Sequence, residues 1–181
     1  LAGLASSAYV SGLSSLVEDE QELGAACIDM GGGSTGVSIF MKKHMIFADA
    51  VRMGGDHVTG DIAKGLQVPL AVAEKIKTLH GGVIATGMDD REMISTGGDS
   101  GDWEKDRRTV SRTELIGIMR PRVEEILEEV RALLDAAVFE RQQHFVINLG
   151  QEVRPTTVSS HRIGNWRPVA LILVVEPGKA H

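Results

Sequence analysis

Cysteine, positive charge and long apolar stretches are all scarce in this chain of 181 residues. The single cysteine, Cys27, excludes an internal disulfide framework and a cysteine-based zinc site, and it fits a reducing compartment. Asp and Glu outnumber Lys and Arg by 25 to 19, so the formal net charge is −6. That balance argues against a broad surface for nucleic acid or for an anionic membrane. No apolar run reaches the roughly 18 residues that a membrane-spanning helix needs.

The N-terminal residues show neither an initiator Met nor a basic segment followed by an apolar one. No secretory signal is therefore predicted, and we expect the chain to be a fragment of a longer protein. Hydrophobic residues make up 43% of the chain and charged residues 24%. This composition predicts one globular domain, with at most a small additional lobe.

Hydrophobic spacing and capping residues predict four helices. A short one lies within Leu1–Leu16, followed by an acidic run that we expect to be a solvated loop or helix end. A second covers residues 57–66 after Asp56, a plausible N-cap, and a third covers 70–80 between a Pro and a Gly. The fourth is long: it begins at a capping box, Ser111–Glu114, and should be kinked or interrupted at Pro121.

Apolar and β-branched runs predict the strands. The clearest are Ala25–Met30, Val37–Met41, Met45–Val51, Phe145–Leu149 and Val169–Val175. Two weaker candidates are Val83–Ala85 and Arg91–Ile94, and residues 97–106 are typical of a surface loop. The second and third strands are separated by Lys-Lys-His, which predicts a hairpin with a polar tip.

The segment richest in chemistry is Ile28–Gly36, a strand end followed by a glycine cluster. Glycines let backbone N–H groups approach an anion, and the hydroxyls of Ser34 and Thr35 add two donors. The three glycines at 31, 33 and 36 match the spacing of a dinucleotide fingerprint, but that fingerprint requires a helix to follow. A β-branched run follows here, so the dinucleotide interpretation fails.

A glycine turn between two strands can instead clasp phosphates, and Asp29 at the strand end could hold a hydrated Mg²⁺. A plain glycine-rich hairpin without a ligand is equally compatible with this segment. The residues alone leave these two interpretations open.

Four motifs in the same order resemble the FtsA family of bacterial cell-division proteins, within the actin-like ATPases. The resemblance extends over about residues 9–139 and lies in the glycine loop and three later segments. The motifs are residues 29–35 (DMGGGST), 54–63 (GGDHVTGDIA), 69–77 (PLAVAEKIK) and 111–126 with the Arg-Pro-Arg triplet.

The resemblance implies an α/β fold of ribonuclease-H-like, actin-like type: a mixed sheet with flanking helices and a small outer subdomain. This chain would be the second lobe, with an inner subdomain at residues 1–80 and an outer one at 81–138. Residues 139–181 depart from the family and form an atypical tail, which we expect to be disordered or frame-shifted.

The resemblance also implies a nucleotide site for ATP with Mg²⁺. The phosphate-binding residues would be Gly31, Gly32, Gly33, Ser34 and Thr35. Asp29 would lie near the metal, and Glu74 and Lys77 would contact the ribose or adenine; without the resemblance, a surface ion pair is the better interpretation of these two. Any hydrolysis would be slow, and this chain alone should neither hydrolyse ATP nor bind it well.

As a family member the intact protein would be a cytoplasmic division scaffold at the inner face of the cell membrane, at the division site. It would self-associate into filaments and bind the C-terminal peptide of FtsZ, with Arg120 and Arg122 as candidates to pair with that acidic peptide. For each arginine alone, an exposed helix-surface role is the simpler interpretation. Membrane contact would occur only through parts absent from this chain.

Three alternative functions remain: a sugar-kinase-type enzyme, a chaperone-type ATPase, and a degenerate interaction module without nucleotide. The first lacks a convincing catalytic Asp between Gly81 and Arg108, and the second fits the short region before Ser111 less well. In addition, Gly36 stands where the family has an acidic residue, which weakens any inference about hydrolysis.

Overall fold

The computed structural model describes residues 3–84, 91–96, 109–140, 145–147, 154–156 and 169–177. Five helices are described: α1 Ser7–Ser15, α2 Glu18–Leu23, α3 Gly55–Leu66, α4 Leu70–His80 and α5 Arg112–Glu140. The strands are β1 Ala25–Met30, β2 Thr35–Met41, β3 His44–Val51, β4 Met93–Ser95, β5 Thr109–Ser111, β6 Phe145–Ile147, β7 Arg154–Thr156 and β8 Val169–Pro177.

The described residues fall into two compact units, one within Leu1–Gly54 and Glu128–His181 and the other within Gly55–Leu127. The first unit holds the main sheet and the second holds α3, α4 and the small hairpin β4–β5. These bounds differ from the subdomain bounds at residues 80 and 138, because α3 and α4 pack with each other and with the first half of α5. Compactness and family subdomains are separate criteria, so the subdomain bounds stay a prediction.

The sheet of the first unit has the order β3-β2-β1-β8-β6, with β7 also paired to β8. Every pairing among the described strands is antiparallel, whereas a mixed sheet was predicted. The reason is the chain path: β1, β2 and β3 form a meander, and β8 then runs back along the other side of β1.

The hairpin β2–β3 turns at two lysines with positive φ, Lys42 at 51° and Lys43 at 64°. Two successive residues of this kind make the type I′ geometry that matches the twist of paired strands. The predicted hairpin with a polar tip is confirmed, and so is the strand at residues 25–30. The strands predicted at residues 145–149 and 169–175 correspond to β6 and β8, which cover residues 145–147 and 169–177.

The two faces of the sheet are buried by different helices. On one face, a cluster of strand residues packs against Val130, Leu134 and Ala137 of α5. On the other face, α1 lies so close to Phe40 that a Cβ on Gly12 would come within 2.1 Å of the ring. Because successive side chains of a strand alternate between faces, β1 is buried on both sides, as its continuous apolar sequence indicates.

In the second unit, α4 has the predicted bounds, but α3 begins at Gly55, earlier than predicted. Asp56 therefore lies inside the first turn of α3, and the prediction that it caps the helix is wrong. Its negative charge still stabilises the N-terminal end of the helix dipole. Ser111 does cap α5, since its Oγ accepts the N–H of Glu114 at 3.2 Å.

Helix α5 runs without interruption over 29 residues, with Pro121 inside it. Of the two predicted consequences of Pro121, the interruption is therefore wrong and the kink remains a prediction. Buried residues on both sides of the proline, Met119 and Ile126 among them, hold the helix together despite the lost backbone donor.

Two other predictions concern the region between α4 and α5. A strand at Val83–Ala85 is not found, because Val83 and Ile84 lie in a bend and Ala85 is outside the described residues. The weaker candidate at Arg91–Ile94 corresponds to β4, which starts at Met93 and is joined to α5 by an ion pair between Arg112 and Glu92 of 2.8 Å. The predicted surface loop at residues 97–106 lies outside the described residues.

The tail after residue 139 contributes β6, β7 and β8 to the sheet. The short strand β7 was not predicted. The expectation of disorder does not hold for these three segments, whose backbones pair in regular register. A frame-shifted origin of the tail stays a prediction.

Candidate functional site

The glycine loop between β1 and β2 is a tight turn closed by its own backbone. The N–H of Gly31 donates to the carbonyl of Ser34 at 2.9 Å. This bond follows the last residue pair of the β1–β2 ladder, Met30 with Thr35. A strand leaves the loop at each end, as the sequence predicts. Gly33 and Ser34 are exposed at its tip.

The segment that follows β3 supports this loop from one side. The hydroxyl of Thr35, which is fully buried, donates to the carbonyl of Met53 at 2.7 Å. The next residue, Gly54, lies so close that a Cβ there would be 2.4 Å from the Gly31 oxygen and 2.5 Å from the Gly32 oxygen. Only glycine fits at position 54 without moving the loop backbone.

The five predicted phosphate-binding residues therefore divide into two groups. Gly31 and Thr35 use a donor each to build the loop. In the part of the chain that the structure describes, the N–H groups of Gly32, Gly33 and Ser34 take part in no hydrogen bond. Within the described residues these three amides therefore have no protein acceptor, and a cluster of adjacent backbone amides is a common anion site.

The predicted metal residue, Asp29, lies on the sheet face covered by α1. Its Oδ2 accepts the hydroxyl of Ser11 at 2.5 Å. Nowhere in the described residues do three or more His, Cys, Asp or Glu side chains come together as metal ligands. One carboxylate is nevertheless compatible with Mg²⁺, which commonly binds through one or two carboxylates, phosphate oxygens and water.

Cys27 is two residues before Asp29 on the same face and is buried. Its pKa is raised from 9.0 to about 11, mainly by burial and also by the negative charge of Asp29, while a hydrogen bond with Ser15 partly offsets this rise. The thiol is therefore protonated at neutral pH, which makes it a core residue and not a nucleophile.

In the second unit, Glu74 and Lys77 lie one turn apart on α4 and form an ion pair of 2.7 Å. This is not a surface pair, because only 10% of the Lys77 side chain is exposed, against 36% for Glu74. Lys77 Nζ also donates to the carbonyl of Gly55 at 3.1 Å and to the hydroxyl of Thr59 at 2.7 Å.

Thr59 is the residue of this cluster that sequence reasoning missed. It is buried on α3, and its Oγ1 lies 2.5 Å from Glu74 Oε2 and 3.0 Å from the Gly55 carbonyl. The available signal was its position four residues after Gly55, where a threonine hydroxyl reaches the carbonyl of the preceding turn.

The two arginines proposed for partner binding differ in their surroundings. Arg122 grips Asp61 of α3 with two nitrogens, at 2.7 and 3.4 Å, and also donates to Glu125 at 2.5 Å. Hydrogen bonding to Asp61 is the main reason that its pKa is raised. Arg120 is 58% exposed, and its ion-pair partner within the described part of the chain is Glu124 of the same helix, at 2.7 Å.

The structure thus gathers the glycine loop and Asp29 within the first unit, and Glu74 with Lys77 within the second.

A comparison with known families decides what this chain is. The model of the cell division protein FtsA matches residues 26–166. The chain belongs to the FtsA family. The match continues past residue 139, where the resemblance found from the sequence ended.

Curated FtsA proteins from distant bacteria are similar to the chain. It is 42% identical to FtsA of Agrobacterium fabrum over 137 residues, which are 76% of this chain and 31% of the relative. Identity is 31% over 150 residues with Bacillus subtilis FtsA, covering 82% and 33%, and 34% over 132 residues with Escherichia coli FtsA, covering 71% and 29%. The chain therefore spans about a third of the length of these relatives.

Solved structures of an actin-like protein show the same fold. MreB5 of Spiroplasma citri, in its crystal structure bound to ADP, superposes with a TM-score of 0.57 at 19% identity, over 74% of this chain and 44% of that one. Its structure bound to AMPPNP gives a TM-score of 0.56 at 18% identity. The predicted actin-like lobe is confirmed.

Among the described residues, no helix combines the length and the apolar character needed to cross a membrane.

Proposed function

We propose that this chain is the nucleotide-binding second lobe of an FtsA-type division scaffold. The intact protein would bind ATP with Mg²⁺, self-associate into filaments and tether the FtsZ ring at the inner face of the membrane. The observation that carries the nucleotide part is the loop after β1, where three adjacent amides, at Gly32, Gly33 and Ser34, are hydrogen-bonded to none of the described residues. The MreB5 structures, named as bound to ADP and to AMPPNP, support it.

The loop would bind the β- and γ-phosphates through these amides. Amide donors of a preformed turn require no reorganisation when the anion arrives, so their full strength is available for binding. Gly54 packs against the loop backbone and keeps it in this shape, and the hydroxyl of Thr35 ties the end of the loop to Met53. Both residues would therefore act without touching the phosphates.

Mg²⁺, when bound, would neutralise charge on the phosphate oxygens. Asp29 is the carboxylate of this chain that would hold it, directly or through water, and Ser11 fixes the orientation of that carboxylate by its hydrogen bond of 2.5 Å. Hydrolysis in the intact protein would be slow.

In the second unit, the pair of Glu74 and Lys77 would contact the ribose or adenine. The pair is close to neutral overall, and a carboxylate repels phosphate, so the uncharged end of a nucleotide is the better match for it.

The nucleotide proposal is tested by binding of Mg²⁺-ATP, followed by ligand-observed NMR at nucleotide concentrations up to the millimolar range. Gly33→Val is the decisive variant, because a Cβ at this position meets no protein atom within 4 Å. Bulk there should obstruct a phosphate without harming the fold. Gly60→Ala on α3, equally free of neighbours, is the matched control.

We expect Gly33→Val to weaken binding at least tenfold and Gly60→Ala to leave it unchanged. Absence of binding by the unmodified chain, or equal binding by Gly33→Val, would contradict the proposal. Either result would favour a degenerate interaction module without nucleotide.

For the FtsZ peptide, Arg120 is the better candidate of the two, because Arg122 would first have to release Asp61. We expect Arg120→Glu to weaken binding of an acidic FtsZ tail peptide more than Arg122→Glu does, in a fluorescence anisotropy titration. Arg131→Glu, an exposed arginine further along α5, is the control. No association of the unmodified chain with the peptide would refute this assignment.

A further inference from the structure

Helix α1 is apolar on its outer side as well as on its inner side. The inner side lies on the sheet, where Ala8 and Gly12 are buried and Gly12 touches the ring of Phe40. The outer side presents Val10 and Leu13, which are 50% and 46% exposed. A helix on the surface of a domain normally carries polar or charged residues on its outer side, so this apolar face requires an explanation.

The apolar surface extends beyond both ends of the helix. Leu4, before α1, is 90% exposed and Val17, after it, is 62% exposed. The hydroxyl of Ser14, on the exposed side, donates to the backbone carbonyl of Ser11 at 3.0 Å and so is satisfied within the helix. We call this area the α1 surface; its members are Leu4, Val10, Leu13 and Val17.

The distribution of charge favours a second copy of this chain as the partner for the α1 surface. In a contact with two-fold symmetry, each residue near the axis meets the same residue of the other copy, so a charged residue there would face a like charge. The chain as a whole carries a net charge of −6, whereas residues 1–17 include no Asp, Glu, Lys, Arg or His. Two acidic chains can therefore approach each other at the α1 surface without that repulsion.

The two ends of α1 complement each other in an antiparallel pair. The N-cap residue, Ser6, makes no capping hydrogen bond with its side chain, so the first amides of the helix keep their positive partial charge. Beyond the other end, α2 begins with Glu18, Asp19 and Glu20. An antiparallel pair places each acidic run beside the N-terminal turn of the other α1, whereas a parallel pair would bring the two acidic runs together.

We propose that the α1 surface is the contact of a homodimer, in which two α1 helices pack antiparallel about a two-fold axis. Leu13 lies midway between Val10 and Val17 in the chain, so it meets its own copy at the axis and Val10 meets Val17 of the second copy. This inference goes beyond the proposed function and requires no nucleotide. A head-to-tail filament contact repeats along the filament, whereas a two-fold contact closes after two chains.

The first test is sedimentation equilibrium of the full chain without nucleotide. One helix face is smaller than the roughly 800 Å² per partner of a standard complex, so we expect a weak dimer with a Kd of roughly 0.1 mM. Leu13→Glu places two like charges at the axis and should weaken association at least tenfold. Leu127→Glu is the matched control on α5, because Leu127 is 41% exposed and lies outside the α1 surface; it should leave the Kd unchanged.

Disulfide cross-linking tests the arrangement of the two helices. Leu13→Cys should form a covalent dimer with its own copy, because the two new thiols meet at the axis. In Val10→Cys the thiols of the two copies would be about 10 Å apart along the helices, which is too far for a disulfide. Cys27 is buried in the core and should not react in either variant.

Each result supports or overturns the proposal. A chain that stays monomeric up to about 0.5 mM would overturn it and leave the α1 surface to another occupant, such as a segment of a longer protein. Equal association of Leu13→Glu and Leu127→Glu would also overturn it. Cross-linking of Val10→Cys as readily as Leu13→Cys would exclude the two-fold arrangement, and this comparison remains decisive if Leu13→Glu does not fold.

Discussion

Replacement of Gly54 by alanine probes the support of the glycine loop directly. The added Cβ would lie 2.4 Å and 2.5 Å from two backbone oxygens, and 2.9 Å from the carbonyl carbon of Gly32. A carbon and an oxygen normally stay more than about 3 Å apart, and backbone atoms cannot move aside as the end of a flexible side chain can. The loop must therefore shift as a whole.

The expected cost is about 1–3 kcal/mol, the usual range for an added methyl group in a packed region. Alanine also reduces the entropy of the unfolded chain, which returns about 0.4–1 kcal/mol. Destabilisation should still dominate: a net cost of about 1–2 kcal/mol would lower the urea midpoint by about 0.5–1 M at a slope of about 2 kcal/mol per molar, which is typical of a small domain.

Gly33→Ala is the matched control, because it lies in the same loop and a Cβ there meets nothing within 4 Å. Neither glycine has a positive φ, so the two substitutions differ only in the space around the new atom. We expect Gly33→Ala to be neutral or slightly stabilising, and Gly54→Ala to shift the amide NMR signals of residues 31–35. Equal stability of both variants would refute the close packing of Gly54 against the loop.

Three further predictions concern the core and α5. Gly12→Ala should destabilise the chain by about 1–3 kcal/mol in urea unfolding, because the added Cβ would overlap the ring of buried Phe40. Unchanged stability of this variant would contradict the contact of α1 with the sheet. Gly117→Ala should instead stabilise it by about 0.5–1 kcal/mol, since Gly117 lies inside a helix with no atom near its Cβ, and a loss of stability would show that α5 is not continuous there. The thiol pKa of Cys27 is raised from 9.0 to about 11, so the unfolded chain loses this proton first and the free energy of unfolding falls as the pH rises from 9 to 11. Cys27→Ala should make that fall shallower, and parallel pH profiles of the two proteins would exclude burial of the thiol.

The local elements of this chain follow from its sequence. The strand at residues 25–30 and the helix at 70–80 have the bounds that apolar runs, Pro69 and Gly81 predict, because both depend on interactions between neighbours in the chain. The family also follows from sequence, because four motifs in order specify a particular arrangement of loops and helices. Where local signals competed with packing, packing decided: α5 continues through Pro121.

The glycine loop shows the limit of the same reasoning. Its composition predicts amides available to an anion, and the sequence correctly excludes a following helix. The separate roles of its residues depend on Met53 and Gly54, which are 18 or more positions away from Thr35 and more than 20 from Gly32. Contacts over such distances are set by the pairing of β2 with β3, and no local pattern records them.

Side-chain environments divide in the same way. The types of Glu74, Lys77 and Arg122, and their helical spacing, can be read from the sequence alone. The packing of α3 against α4 and α5 decided whether each of these side chains is exposed to solvent or paired. It buries Lys77 behind Glu74 and pairs Arg122 with Asp61. The sequence by itself thus determined the elements, the family and the candidate chemistry, because these depend on neighbouring residues. Only the tertiary structure decided which of these groups are exposed and which are buried with partners, because burial and hydrogen bonding depend on residues that are distant in the chain.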